Sequence, residues 1–221
     1  MSVVRLRQFL LGLYHDLPNI LFSGSLVLGS VTGYLPLVWV SMGLIVNAFG
    51  VASLQGLLGL LFDTSSKGIL ASQLVLPKNA ACNIITGGKP GGISEITGVA
   101  PSYWLSSALF FATFVIYNSV QVAMMPVARG ASQDKADIRQ AFTLTTIVIG
   151  AVFFLLVLLR GYSGCETYLG GALGAIVGIG LAIGFWNLLN VCGAGMVPDV
   201  LQVVNSMAPP GDDTVPVVCA A

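Results

Sequence analysis

Apolar residues in this chain are gathered into long runs rather than interleaved with charge. Ile20–Phe62, Tyr103–Ala128, Gln140–Leu159 and Thr167–Pro198 contain no charged residue. Each is long enough to cross a bilayer, which takes roughly 20 residues as a helix. The first run is about twice that length, and Gly33-Tyr34-Leu35-Pro36 within it carries turn chemistry, so it divides into two helices joined tightly. The pattern predicts five spans, at Leu17–Thr32, Pro36–Phe62, Ser102–Val127, Gln140–Leu159 and Tyr168–Val191. The first is short and the second long, which suggests a tilted or broken second helix near Asn47 or Gln55. The runs are continuously apolar and rich in glycine and leucine, which argues against a β-barrel. The expected fold is all-α: a polytopic integral membrane helical bundle of about five transmembrane helices plus an N-terminal interfacial helix.

Composition agrees, with 56% hydrophobic residues, 8% charged residues and a mean hydropathy of +0.91. A soluble domain of this length breaks its apolar runs far more often. Five regions follow: an N-terminal interfacial segment over 1–16, a two-helix transmembrane hairpin over 17–62, a long extramembrane loop over 63–101, a three-helix region over 102–191, and a polar tail over 192–221. Arg5 and Arg7 precede a short apolar patch that His15 and Asp16 interrupt, which fits a surface-lying helix better than a cleaved signal peptide. With five spans, six of the nine basic residues share the face that carries the N-terminus and the long loop. The positive-inside tendency puts that face in the cytoplasm, but the margin leaves orientation open. Formal charge is zero, and Asp134 and Asp137 offset Arg129, Lys135 and Arg139, so nucleic-acid binding is disfavoured and that segment reads as a solvated loop.

Within the spans, Gly29/Gly33 and Gly170/Gly174/Gly178 form small-residue ridges suited to close helix packing, within one chain or in a homo-oligomer. Asn118 and Gln121 need interhelical partners in a bilayer. Trp104, Tyr103, Tyr117, Tyr162 and Tyr168 fall near span ends, where aromatic side chains anchor at the interface. No Cys-x-x-Cys or Cys/His ligand spacing is present, so no metal site is expected, and no cofactor.

Three loop segments converge on one predicted face: Lys78 to Pro90, Pro101 to Trp104, and Arg160 to Gly170. This layout resembles the type 2 phosphatidic acid phosphatase family, membrane enzymes in which three short motifs meet on one side of a helical bundle. The resemblance covers roughly residues 78 to 190. In the third motif Arg160 matches the family arginine, with Tyr162 and Gly164 in place and a glycine-rich helix after it. Leu159, Glu166 and Gly170 stand where the serine, the nucleophilic histidine and its aspartate belong. In the second motif Pro101 and Ser102 match, while Tyr103 and Trp104 replace glycine and the acid histidine. In the first motif Lys89-Pro90 matches loosely and Cys82 takes the lysine position.

The resemblance implies phosphate-headgroup contacts at Lys89, Ser102 and Arg160. It also implies a meeting of Cys82 with Cys165 that an oxidising compartment would convert to a disulfide. An Arg160–Glu166 ion pair is the simpler expectation for those two residues. The family reaction needs two histidines, whereas this chain has His15 alone, outside both motifs. The expected function is therefore a non-catalytic structural membrane protein with no catalytic residue. Lipid-phosphate binding with weak phosphatase activity is the first alternative, and a small transporter or channel the second. Partners are the bilayer and proteins bound through the 63–101 loop and the tail. The layout also resembles, in outline, membrane proteins of large double-stranded DNA virus particles, which implies the internal membrane of a virion as a location.

Overall fold

Among the described residues, five long helices emerge where the uncharged runs lie. The computed structural model describes residues 5, 9, 12–14, 16–61, 74, 100–124, 133–162 and 166–192, apart from some side chains in the third and fourth helices. The helices are α1 (Leu17–Thr32), α2 (Leu35–Leu61), α3 (Tyr103–Met124), α4 (Gln133–Tyr162) and α5 (Tyr168–Cys192). The described residues contain no strand.

Local chemistry accounts for the boundaries. Pro18 sits in the first turn of α1, where its missing N–H costs nothing. The helix ends on Gly33, whose φ of 67° is the left-handed conformation that favours glycine. Gly33 therefore serves the turn and not a packing ridge, since a Cβ built on it meets nothing within 4 Å. Gly29 is the packing residue of the hairpin: its Cβ would lie 2.9 Å from the backbone nitrogen of Val38. α2 runs unbroken past Asn47 and Gln55 because both amides find partners across the bundle. α4 begins at Gln133, inside the segment expected to be a solvated loop. Its sequence there, Gln-Asp-Lys-Ala-Asp, supplies good helix formers with acids near the positive N-terminal end of the helix dipole.

Successive helices run in alternating directions around α3, which packs against each of the other four. α1 and α2 form an antiparallel hairpin joined at mid-depth by a 2.8 Å contact between the Ser25 and Ser41 hydroxyls. α5 lies parallel to α3, its buried stripe of Gly170, Gly174, Gly178 and Ala182 turned inward. A Cβ on Gly178 would collide with the Ser106 carbonyl oxygen and stand 3.1 Å from that residue's Cα. The small-residue ridge read from the sequence thus works within the chain. Between α2, α3 and α5 the core is built from Val40, Leu44, Phe110, Phe114, Trp186 and Leu189. A second cluster, Trp104, Leu105, Leu109 and Val157, joins α3 to α4, with Tyr14 and Leu17 packed against it.

Polarity is inverted relative to a water-soluble bundle. Ser41, Asn47, Ser106, Ser107 and Asn118 are buried, while Val31, Leu60 and Val191 are 80%, 87% and 84% exposed. Large exposed apolar surfaces of this kind are rare on water-soluble monomers and ordinary on helices that face lipid. α2, α3 and α5 are long and apolar enough to cross a membrane. α1, at 16 residues, is shorter, and α4 contributes a described apolar stretch at Thr143–Leu155.

The packing separates two glycines of one helix. Gly178→Ala should destabilise the detergent-solubilised protein by about 1–3 kcal/mol through overpacking against backbone. Gly180→Ala, which opens onto free space, should be neutral or stabilising by up to about 1 kcal/mol through helix propensity. Thermal unfolding followed by circular dichroism reads both.

Candidate functional site

The parallel alignment of α3 and α5 brings two helix N-termini side by side, and the polar residues of the bundle's most distinctive cluster sit there. Ser102 immediately precedes α3, and its Oγ accepts the Leu105 N–H at 3.3 Å, an N-cap. Thr167 does the same for α5, accepting the Gly170 N–H at 3.1 Å. Between the two caps lies Glu166. The Ser102 hydroxyl donates to Glu166 Oε1 at 2.6 Å, the short distance of a hydrogen bond to a carboxylate. Ser102 is 3% exposed and Glu166 partly buried, so the contact is shielded from water. Each N-terminus contributes partial positive charge, which favours a carboxylate at this position.

Depth along α3 is lined by further amides and hydroxyls. Gln55 Nε2 donates to the Pro101 carbonyl at 2.8 Å. Asn47 bridges two serines, donating to Ser107 Oγ at 3.2 Å and accepting from Ser106 Oγ at 2.8 Å. Nearer the far end, Trp186 Nε1 donates to Asn118 Oδ1 at 3.2 Å. Asn118 thus has the interhelical partner its burial demands. Trp104 is wholly buried: its Nε1 donates to the Tyr14 carbonyl at 3.0 Å and the two rings stand 5.0 Å apart. It therefore does not belong to an interfacial aromatic belt. Tyr117 packs edge-on against Trp186 at 5.0 Å, whereas Tyr168, 94% exposed, has the position expected of an anchor.

The sequence reading had Ser102 and Glu166 in different motifs, and the structure joins them. Arg160 lies in the last turn of α4, with its side chain outside the described residues, as are Lys89, Cys82 and Cys165. The Ser106–Ser107 pair escaped the sequence reading, although two hydroxyls in an uncharged span are a usable sign of an interhelical contact. Among the described residues no group of three or more His, Cys, Asp or Glu side chains has a metal-binding arrangement.

Beside Glu166 a cleft opens between α4 and α5, floored by α3. Its volume is about 460 Å³, and Leu105, Leu109, Phe154, Val157 and Ala175 supply most of its apolar wall. Glu166, Thr167 and Tyr168 supply the polar end.

A double-mutant cycle tests the central contact. Ser102→Ala should cost about 1 kcal/mol or slightly more through loss of the cap and the hydrogen bond. Combined with Glu166→Ala it should show a coupling of about 1 kcal/mol in thermal or denaturant unfolding. Strict additivity would show that the two side chains do not act together. In comparisons with known proteins, no family model, no curated protein and no solved structure matches this chain.

Proposed function

We propose that this chain is a multi-pass integral membrane protein whose five helices cross the bilayer and whose bundle serves a structural, non-catalytic role. The inverted polarity supports insertion: buried hydroxyls and amides pair with one another while large aliphatic side chains face outward. The observation that carries the non-catalytic reading is the Ser102–Glu166 hydrogen bond. In the phosphatase-like arrangement the second and third motifs meet to receive a phosphate. Here the two segments do meet, but the protein's own carboxylate occupies the junction and takes the serine's proton donor. A phosphate brought to the same place would face an anion at close range.

Trp104 strengthens this reading. It occupies the position of the family's acid histidine and is locked into the core by Tyr14, where it offers no titratable proton. A bundle with family-like segments and without their chemistry does not carry the family's activity. Its roles are then those of packing and assembly, as in a membrane layer beneath a virus capsid, with the 63–101 segment and the C-terminal tail as the parts available to bind proteins.

The decisive assay is phosphate release from a panel of lipid phosphates and diphosphates by the purified, folded protein, alongside Arg160→Ala and Glu166→Gln. Release should stay at background for all three. Turnover that both substitutions abolish would overturn the non-catalytic reading in favour of a carboxylate-based phosphotransfer. For topology, Cys192 is exposed at the end of α5. In a variant lacking the other cysteines, a membrane-impermeant maleimide should label it from one side of sealed vesicles and an introduced Tyr168→Cys only from the other.

A further inference from the structure

α1 is the shortest of the five described helices, and both of its ends are pinned. Its 16 residues rise through roughly 24 Å, whereas the hydrocarbon core of an ordinary bilayer is about 30 Å thick. α2, α3 and α5, with 27, 22 and 25 residues, reach at least that far. We propose that α1 fixes a hydrocarbon layer about 6 Å thinner than usual along its side of the bundle, so that the surface it presents fits a membrane of short-chain lipids. The proposal rests on the membrane reading above.

Charge sets the near end. Asp16 is exposed immediately before the helix, and an exposed carboxylate does not stay at hydrocarbon depth. Its backbone is tied into the helix entry: its N–H donates to the Gly12 carbonyl and its carbonyl accepts from the Ile20 N–H, both at 3.0 Å. Two residues earlier the Tyr14 carbonyl accepts the Trp104 indole N–H, which holds this segment against the start of α3. Backbone sets the far end. Gly33 reverses the chain there, and the Leu35 and Leu37 N–H groups donate to the Gly33 and Tyr34 carbonyls at 3.1 Å. Two abutting helix ends leave about four backbone groups each to be satisfied outside the helix. Irregular backbone that faces lipid is not tolerated at hydrocarbon depth, so this turn belongs among the headgroups.

Neither end is free to shift toward the surface of a thicker membrane. The Ser25–Ser41 contact and the approach of Gly29 to Val38 hold α1 in register on α2, and Asn47 holds α2 in register on α3. Tilting reduces the depth that a helix spans, so α2, α3 and α5 can adapt to a thin layer, while α1 has no means of reaching across a thick one. The shortest helix therefore sets the match on its own side. Between its ends Val27, Leu28 and Val31 are exposed, so this stretch is the part of α1 that meets acyl chains.

The test uses the full chain reconstituted in vesicles of a single phosphatidylcholine, its acyl chains lengthened stepwise from myristoleoyl through oleoyl to erucoyl, with thermal unfolding followed by circular dichroism. The midpoint should be highest in the shortest members and lower by roughly 5 °C in erucoyl vesicles, the size of shift that a modest mismatch cost produces in a chain of this length. Asp16→Leu should move the optimum toward longer chains, because the charge at the near end is gone; the Asp16 side chain makes no capping hydrogen bond, so no cap is lost with it. Asp16→Glu should keep the short-chain optimum. In oleoyl vesicles, with the native cysteines removed, a nitroxide attached at Val31→Cys should be open to a water-soluble nickel chelate and one at Val27→Cys shielded from it. An optimum at oleoyl or longer in the unmodified chain, an unmoved optimum in Asp16→Leu, or a Val31 label at hydrocarbon depth overturns the proposal. Dimers cross-linked through Val27→Cys at high dilution in lipid would assign this face to a second copy and overturn it as well. Loss of the chain from alkali-washed vesicles would instead refute the membrane reading on which the proposal depends.

Discussion

The close approach of α5 to α3 sets the geometry of everything around it. Gly178 lets the α5 backbone lie against the α3 backbone at Ser106, at a distance no side chain permits, and Gly174 one turn earlier lies alongside Ser102. Contact of this kind gains dispersion energy over a long interface, and in hydrocarbon that term replaces the hydrophobic effect as the cause of helix association. It also fixes the axial register. With Gly174 level with Ser102, the two helix N-termini align, Glu166 arrives beside Ser102, and Trp186 comes level with Asn118. α4, packed on another side of α3 through Gly150 and Ile116, is left apart from α5, and an apolar groove is the space that remains.

Polar pairs add specificity to this packing. A net contribution of about 0.5–1.5 kcal/mol is usual for one intramolecular hydrogen bond, so the Asn47, Gln55 and Asn118 contacts are modest individually. Their value lies in the penalty for the alternatives. A slip of α2 along α3 would leave the Asn47 amide and two serine hydroxyls without partners in a dry interior, at a cost of about 1–3 kcal/mol per group. Glycine packing brings the helices close, and these pairs select one register among several that close packing alone would allow.

The junction of α3 and α5 combines a carboxylate with two helix N-termini. Such a place ordinarily welcomes an anion from outside. Here the chain supplies its own, held by a hydroxyl that simultaneously caps α3. The proposed structural role follows from that one substitution of an internal carboxylate for an external phosphate, which fills the place that phosphate chemistry needs.

The positions of most of the long described helices were legible in the sequence because the hydropathy of a segment is a sum over its own residues. α1 matches its expected limits, and the ends of α2 and α5 fall within a residue or so of them. The inward stripe of Gly170, Gly174 and Gly178 was legible for a related reason, since its period is that of the helix itself. What depended on partners was not. Trp104 has the same local sequence whether it lies at an interface or under Tyr14, and only the packing of the N-terminal segment buries it. Gly33 could belong to a ridge or a turn until the hairpin closed. Glu166 lies 64 residues from Ser102, and no local pattern links the two, so their hydrogen bond could not be read before the helices packed. Hydropathy is additive along a chain and can be read in one dimension. Which side chains meet is decided by the distance and register between helices, and those arise only when backbones pack.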